Sequence, residues 1–212
     1  MFPRPCDLDV DYALLAMVVR SGDFVEPPWS APLDPEAVLR AVPPDATMTG
    51  TFLAAVVEVA ASRGVVLPSA RARYTAFQRF PLREHCTLLV EASRALFPEL
   101  PLRAGLRKLG RGAPHALTSS TLGRVVFGSA EGPLDVIRAM AHSYSMHMSP
   151  STLSVERVSE TSAIVELSDI YNFLDSHNVG VFEGVLKHAG VSGTVKIRSY
   201  SRTAADMLCT WG

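Results

Sequence analysis

The sequence has almost no net charge and no long apolar run, and each of these shortages excludes a class of protein. Its 20 basic and 21 acidic residues nearly cancel over 212 positions, so it lacks the basic surplus that binding to nucleic-acid phosphates requires. The apolar stretch from Ala54 to Ala61 is interrupted by Glu58 and followed by Arg63, well short of the ~20 residues of a membrane span. We expect neither a nucleic-acid partner nor a membrane span.

Cysteine is also scarce. Cys6, Cys86 and Cys209 are an odd number with no paired short spacing, which argues against a disulfide framework and a zinc knuckle. Cys86 lies on an apolar helical stripe and Cys209 in an alternating strand, so both are expected to be buried, with a reactive thiol as the alternative. No metal site is predicted. The N-terminus lacks the basic and apolar regions of a secretory signal, which indicates a cytoplasmic protein.

The usual signatures of nucleotide binding and hydrolysis are missing as well. The sequence contains no Gly-x-x-x-x-Gly-Lys-Ser/Thr loop, no Gly-x-Gly-x-x-Gly fingerprint and no Gly-x-Ser-x-Gly elbow. Its six histidines have no second ligand at a recognisable spacing, so we interpret them as hydrogen-bonding groups, with a metal or haem ligand as the alternative. These absences favour a non-enzymatic role. A catalytic triad stays open, because its members need not be neighbours in sequence.

What the sequence does contain is a change of hydrophobic period. Helical spacing continues to about residue 144, with predicted helix stops at Gly110 and Gly112 and a separate helix predicted from Pro114 to residue 127. Alternation then marks two strands, a helix over 179–189 and two more strands over 194–200 and 205–211. The pattern predicts an α+β fold, in which an N-terminal helical two thirds packs on a C-terminal four-stranded antiparallel sheet of β-β-α-β-β order. Residues 1–33 are predicted to be an arm or ordered loop, and 34–212 a single domain.

The densest polar stretch covers residues 169–178 and leads into a helix that contains two glycines four positions apart. Backbone N–H groups and the dipole at a helix N-terminus favour an anionic ligand, and glycines let a flat ligand approach closely. The alternatives are helix capping and backbone packing. The candidate ligand-binding residues are Asn172, Asp175, His177, Gly180 and Gly184.

One local excess of basic residues follows the polar side of a predicted helix. It consists of Arg103, Arg107, Lys108 and Arg111. Such a stripe could dock an acidic protein partner, and the alternative is an ordinary solvated helix face.

Several strings of the sequence carry a family resemblance. They include A-L-F-P-E-L-P-L-R at 95–103, L-R-K-L-G at 106–110 and V-G-V-F-E-G at 179–184, with further matches at 74–77, 80–82, 123–128, 172–176 and Trp211. In this order they resemble a myxobacterial paralogous family of uncharacterised proteins, a domain of unknown function. The resemblance implies a family without implying an activity.

A looser similarity concerns the C-terminal fold. The strand pairs, the Phe173-Leu174-Asp175 segment and the glycine-containing helix look like the fold of haem-nitric-oxide-binding, vinyl-reductase and transport-particle subunit domains. That similarity implies an apolar cavity between helices and sheet that could hold haem, a tetrapyrrole, a lipid tail or nothing. No site residue is carried over, because the Tyr-x-Ser-x-Arg haem motif and the vinyl-reductase cysteine cluster are absent, and the cofactor stays unknown.

The function predicted from these observations is a non-enzymatic sensory or regulatory module that binds a hydrophobic small molecule in such a cavity. The alternative is a protein-interaction subunit that forms a homodimer or docks through a helix face.

Overall fold

The computed structural model describes residues 22–119 and 127–212. These residues form six α-helices, a π-helical turn and seven strands, which confirms the α+β class. In chain order the elements are α1 Pro35–Ala41, β1 Thr47–Thr49, α2 Gly50–Ala61, β2 Arg79–Pro81, α3 Leu82–Leu96, α4 Leu102–Ser119, α5 Pro133–His147, β3 Met148–Ser149, β4 Thr152–Ser159, β5 Ser162–Ser168, the π-helical turn Leu174–Asn178, α6 Val179–His188, β6 Gly193–Ser199 and β7 Ala205–Trp211. Among the described helices, none is long and apolar enough to cross a membrane.

The C-terminal sheet has four antiparallel strands in the order β4-β5-β7-β6. Alternation places one set of side chains against the core: Val165, Met207 and Ile197 are almost fully buried and lie opposite one another across β5, β7 and β6. Helix α6 connects β5 to β6 and contacts β6 and β7. The predicted β-β-α-β-β order is confirmed.

A second, three-stranded sheet ties the helical part together. Its order is β2-β1-β3, and Thr47 of β1 lies opposite Pro81 of β2 and Ser149 of β3. Because α2 and α3 start directly after β1 and β2, and α5 ends directly before β3, this sheet holds three helix ends side by side.

Helix ends follow local sequence rules in α1 but not in α4. The Asp34 carboxylate accepts a hydrogen bond from the Ala37 N–H at 3.1 Å, and Pro35 occupies the first helical position, as the sequence predicts. The predicted stop at Gly110 and Gly112 is wrong, because α4 continues through both glycines and Pro114 to Ser119. Packing of α4 against α6 overrides the local preference. The helix predicted from Pro114 to residue 127 therefore begins inside α4, and 120–126 lie outside the described residues.

The core is apolar and contains both described cysteines. Leu53, Leu89 and Phe182 are fully or almost fully buried. Cys86 and Cys209 are also buried, and burial raises the pKa of each thiol to about 12. Both thiols are thus protonated at neutral pH and weakly nucleophilic, which confirms their interpretation as buried hydrophobic residues.

The predicted N-terminal arm is described from residue 22 onward, and its first 21 residues lie outside the described residues. In the described part, Val25 exchanges two backbone hydrogen bonds of 2.9 Å with Ile197 of β6. This segment therefore covers an edge of the four-stranded sheet. The domain boundary at residue 34 stays a prediction.

Candidate functional site

Helices α4 and α6 approach one another backbone to backbone through glycines. A Cβ atom at Gly180 would lie 2.1 Å from the Arg107 carbonyl oxygen, and one at Gly184 would lie 2.5 Å from the Arg111 carbonyl oxygen. A Cβ atom at Gly110 would likewise lie 2.1 Å from the His177 carbonyl oxygen. The bare face of α6 is thus filled by α4 and has no room for a flat ligand. The structure corrects the ligand-contact interpretation of Gly180 and Gly184 in favour of backbone packing.

Three arginines of the basic stripe pair with acidic residues across this helix contact. Arg103 forms a salt bridge with Asp175, and Arg107 and Arg111 both bind the Glu183 carboxylate, Arg111 through Nε at 2.6 Å. Burial alone would raise the pKa of Glu183, but the hydrogen bonds from the two arginines lower it below its ordinary value. These three arginines are therefore partnered within the chain, which favours the structural interpretation of the stripe; docking of an acidic protein stays a prediction.

Lys108 differs from the three arginines of the stripe. Its side chain is exposed and its Nζ lies 5.0 Å from the centre of the Phe97 ring. Arg107, by contrast, stacks on Trp29 at 3.7 Å in addition to its ion pair. Lys108 is rotated away from α6, because adjacent residues of an α-helix differ by about 100° around its axis.

The polar stretch before α6 contains a buried hydrogen-bond network. The Tyr144 hydroxyl donates to Asn178 Oδ1 and accepts from Asn172 Nδ2, both at 2.7 Å, and Asn178 Nδ2 donates to the Asn172 carbonyl at 2.9 Å. All three residues are buried. The network holds Phe173 in a left-handed conformation, with φ 59°. Asn172 therefore stabilises a chain reversal and is inaccessible to a ligand, and no side chain caps α6.

A pocket of about 130 Å³ lies between α2, α3, α4 and the π-helical turn. We call it the histidine pocket. Its walls are mainly apolar, its buried end includes His85, Leu89 and His177, and its exposed edge includes Arg63 and Lys108. The lining residues are Thr51, Phe52, Ala55, Val56, Val59, Arg63, His85, Leu89, Phe97, Lys108, Leu109, Gly112, Ala113 and His177.

Two histidines meet at the buried end of this pocket. Their rings pack edge to face with centroids 6.1 Å apart, and His85 and His177 are only 2% and 5% exposed. Among the residues that the structure describes, the Nδ1 atom of each ring has no hydrogen-bond partner. Burial lowers the pKa of His85 to about 3, assisted by His177, and lowers the pKa of His177 to about 4. Both rings are therefore neutral at pH 7, with a polar atom left unpaired.

Unpaired buried polar atoms are uncommon in proteins and costly. Both rings line the pocket, so they are the polar side chains that a molecule entering its buried end would meet. His177 was a candidate from sequence, whereas His85 was not, because nothing in the sequence connects two histidines so far apart.

A second, larger groove of about 370 Å³ runs between α1, the segment 171–175 and the turn after β6. Asp175 and Arg103 line it as an ion pair, and Arg103 Nε is buried without a partner. The candidate residues from sequence are thus divided: Asp175 lies in this groove, His177 in the histidine pocket and Asn172 in the core.

No group of three His, Cys, Asp or Glu side chains that could hold a metal ion occurs in the part of the chain that the structure describes.

The fold defined by these elements is similar to that of H-NOX proteins, and the predicted similarity to haem-nitric-oxide-binding domains is confirmed. A K. algicida H-NOX protein in the Fe(II) unliganded state aligns with a TM-score of 0.60 at 11% identity, over 78% of this chain and 97% of that one. An S. oneidensis H-NOX protein in the Fe(II)NO state aligns with a TM-score of 0.63 at 9% identity, over 78% of this chain and 99% of that one. At such identities the likeness concerns the fold alone.

The chain belongs to the family described as "Protein of unknown function (DUF2378)", whose model matches residues 41–212. No curated protein matches the chain.

The described residues do not fit a haem. Haem has roughly seven times as many non-hydrogen atoms as benzene, the molecule that a cavity of about 150 Å³ accommodates, and the histidine pocket is smaller still. His85 and His177 pack directly on each other, so no macrocycle plane lies between them. Among the described residues that line the larger groove, Tyr171 is the one side chain of a type that binds haem iron, and no histidine, cysteine or methionine accompanies it.

Proposed function

We propose that this protein is a non-enzymatic sensory or regulatory module that binds a small organic molecule in the histidine pocket. The observation that carries the proposal is a mainly apolar pocket whose buried end is lined by two neutral histidines. An apolar wall with a few polar groups at one end is the usual composition of a small-molecule site.

The volume of the pocket limits the ligand. An engineered cavity of about 150 Å³ binds benzene, and the histidine pocket measures about 130 Å³. The part of the ligand that enters the pocket is therefore about the size of one six-membered ring. A lipid tail or tetrapyrrole exceeds this volume.

The position of the pocket suits a regulatory role. Its lining comes from α2, α3, α4 and the π-helical turn, and this turn leads directly into α6, which contacts the sheet. A ligand that bridges these elements stabilises their present arrangement over any in which they separate, by RT ln(1 + [L]/Kd). A rise in ligand concentration would thereby increase the population of the conformation in which these elements are packed together.

Native mass spectrometry and an absorption spectrum of the protein purified from cells test this proposal. We expect a retained small mass in the parent and its loss in Ala55→Leu, which places three further carbons in the pocket wall. Ala61→Leu is the matched control, because Ala61 ends the same helix at an exposed position outside the pocket. A bare mass in the parent, together with no uptake of benzene or xenon, would overturn the proposal.

The alternative function, a protein-interaction subunit, has less support, because Arg103, Arg107 and Arg111 of the basic stripe pair with acidic residues of the same chain. Homodimerisation and a cytoplasmic location stay predictions.

A further inference from the structure

We infer that the ligand of the histidine pocket is a small carboxylate: its ring-sized apolar body lies in the pocket and its carboxylate pairs with Arg63 and Lys108 at the exposed edge. This inference rests on the proposed function and adds the chemical class and the orientation of the ligand.

The two cations lie on one aromatic ring of the pocket wall. The Arg63 guanidinium carbon is 5.7 Å and Lys108 Nζ is 5.0 Å from the centre of the Phe97 ring. Phe97 lines the pocket together with both of them. Two exposed positive charges thus lie on the exposed edge of the pocket, each within 6 Å of the Phe97 ring centre.

Neither cation is neutralised by an acidic side chain among the described residues. The salt bridges of these residues include neither Arg63 nor Lys108. Arg107, the neighbour of Lys108 in sequence, is by contrast paired with Glu183. Two like charges without an acidic partner leave a local positive potential, which a ligand anion can satisfy.

The interior of the pocket determines which end of the ligand enters. No acidic residue is part of its lining, and His85 and His177 are uncharged at neutral pH. A carboxylate placed there would lose its hydration without gaining a counter-charge, which is strongly unfavourable. The apolar body therefore enters first and the carboxylate stays at the edge. A cationic ligand would be repelled by Arg63 and Lys108.

The histidines add a preference at the far end of the ligand. A hydroxyl group both donates and accepts hydrogen bonds, so it can pair with a neutral imidazole in either tautomer. A ring with a carboxylate at one end and a hydroxyl at the other therefore matches both ends of the pocket. 4-Hydroxybenzoate is a probe with this arrangement, and phenol and benzoate each lack one of its two groups.

Binding of these three probes to the full chain, measured by isothermal titration calorimetry, tests the inference. We expect 4-hydroxybenzoate to bind at least tenfold more tightly than phenol, because phenol cannot pair with the two cations. Lys108→Gln and Arg63→Gln should each weaken 4-hydroxybenzoate three- to fivefold, as expected for partly exposed ion pairs, and should leave phenol unchanged. Lys108→Arg should retain binding. Lys187→Gln, an exposed lysine on α6 outside the pocket, is the matched control and should bind like the parent.

The outcomes separate this inference from the proposed function. If phenol binds as tightly as 4-hydroxybenzoate, or the double variant of Arg63 and Lys108 binds like the parent, the carboxylate inference is overturned while the pocket stands. If none of the probes binds while benzene or xenon is taken up, the carboxylate inference is overturned and the pocket stands; if the parent also has a bare mass and takes up neither benzene nor xenon, both are overturned. Loss of 4-hydroxybenzoate binding in Ala55→Leu, with retention in Ala61→Leu, would place the probe in the histidine pocket.

Discussion

His85 and His177 couple the stability of the fold to pH. In the folded chain burial lowers their pKa values to about 3 and about 4, whereas both lie near 6.5 in an unfolded chain. Between these values the unfolded state binds more protons than the folded state. The free energy of unfolding therefore decreases as the pH falls below about 6.5, and the two histidines make no contribution to this slope well above it.

The expected magnitude is large for a domain of this size. Below its unfolded pKa, each histidine lowers the free energy of unfolding by about 1.4 kcal/mol per pH unit. Acidification from pH 6.5 to 4.5 therefore lowers the free energy of unfolding by roughly 5 kcal/mol for the pair. That loss equals the lower end of the total stability of ordinary domains, about 5–15 kcal/mol. His147, whose pKa burial also lowers, acts in the same direction. Glu84 and Glu183, with pKa values lowered mainly through arginine hydrogen bonds, add their losses below about pH 4.5.

Urea denaturation at a series of pH values between 4.5 and 7.5 measures this slope directly. We expect His85→Leu to reduce the slope of the unfolding free energy against pH, between pH 5 and 6, by about 1.4 kcal/mol per pH unit, since it removes one titrating group and so one bound proton. Leu89→Ala, which truncates a buried neighbour in the same pocket, should lower stability by about 2–5 kcal/mol at every pH and keep the slope. A parent stability that is constant from pH 5 to 7, or an unchanged slope in His85→Leu, would refute the reasoning.

Three further substitutions, with Gly112→Ala as a control for the first, test the packing around α6, each measured by urea denaturation at pH 7. Gly180→Ala should destabilise the fold by more than about 2 kcal/mol, because its Cβ would overlap the Arg107 carbonyl; Gly112→Ala, where the space is open, should be neutral or stabilising by up to about 1 kcal/mol. Glu183→Gln should cost about 1–3 kcal/mol, since two partly exposed guanidinium groups lose their counter-charge, and an unchanged stability would contradict the contribution of this ion-pair cluster. Tyr144→Phe should cost about 1–3 kcal/mol, because two buried asparagines lose a partner, and an unchanged stability would contradict the network.

The C-terminal fold could be predicted from sequence because alternation over short strands is a local signal. The strand over 205–211 and the helix that starts at Val179 agree with the structure almost to the residue. The end of α4 could not be predicted in this way. Gly110 and Gly112 are local helix-ending signals, but Gly110 is required for the close approach of α6, a contact between segments distant in sequence.

The candidate site was only partly predictable for the same reason. The sequence indicated the polar stretch before α6 but could not show that Asp175 pairs with Arg103 while His177 turns toward His85. Charge pattern alone likewise could not distinguish Lys108 from the arginines beside it. Their different roles depend on which helix face meets α6, and this is fixed by tertiary packing.

The central claim is that a small molecule enters the histidine pocket and contacts His85 and His177. The most direct measurement is NMR of the histidine ring signals during titration of the full chain with 4-hydroxybenzoate. We expect saturable shifts in the signals of His85 and His177, which line the pocket, and only minor shifts for His147, which lies outside its lining and is hydrogen-bonded to Thr49 at 2.8 Å. Shifts that are absent, or of equal size for all three histidines, would contradict the claim.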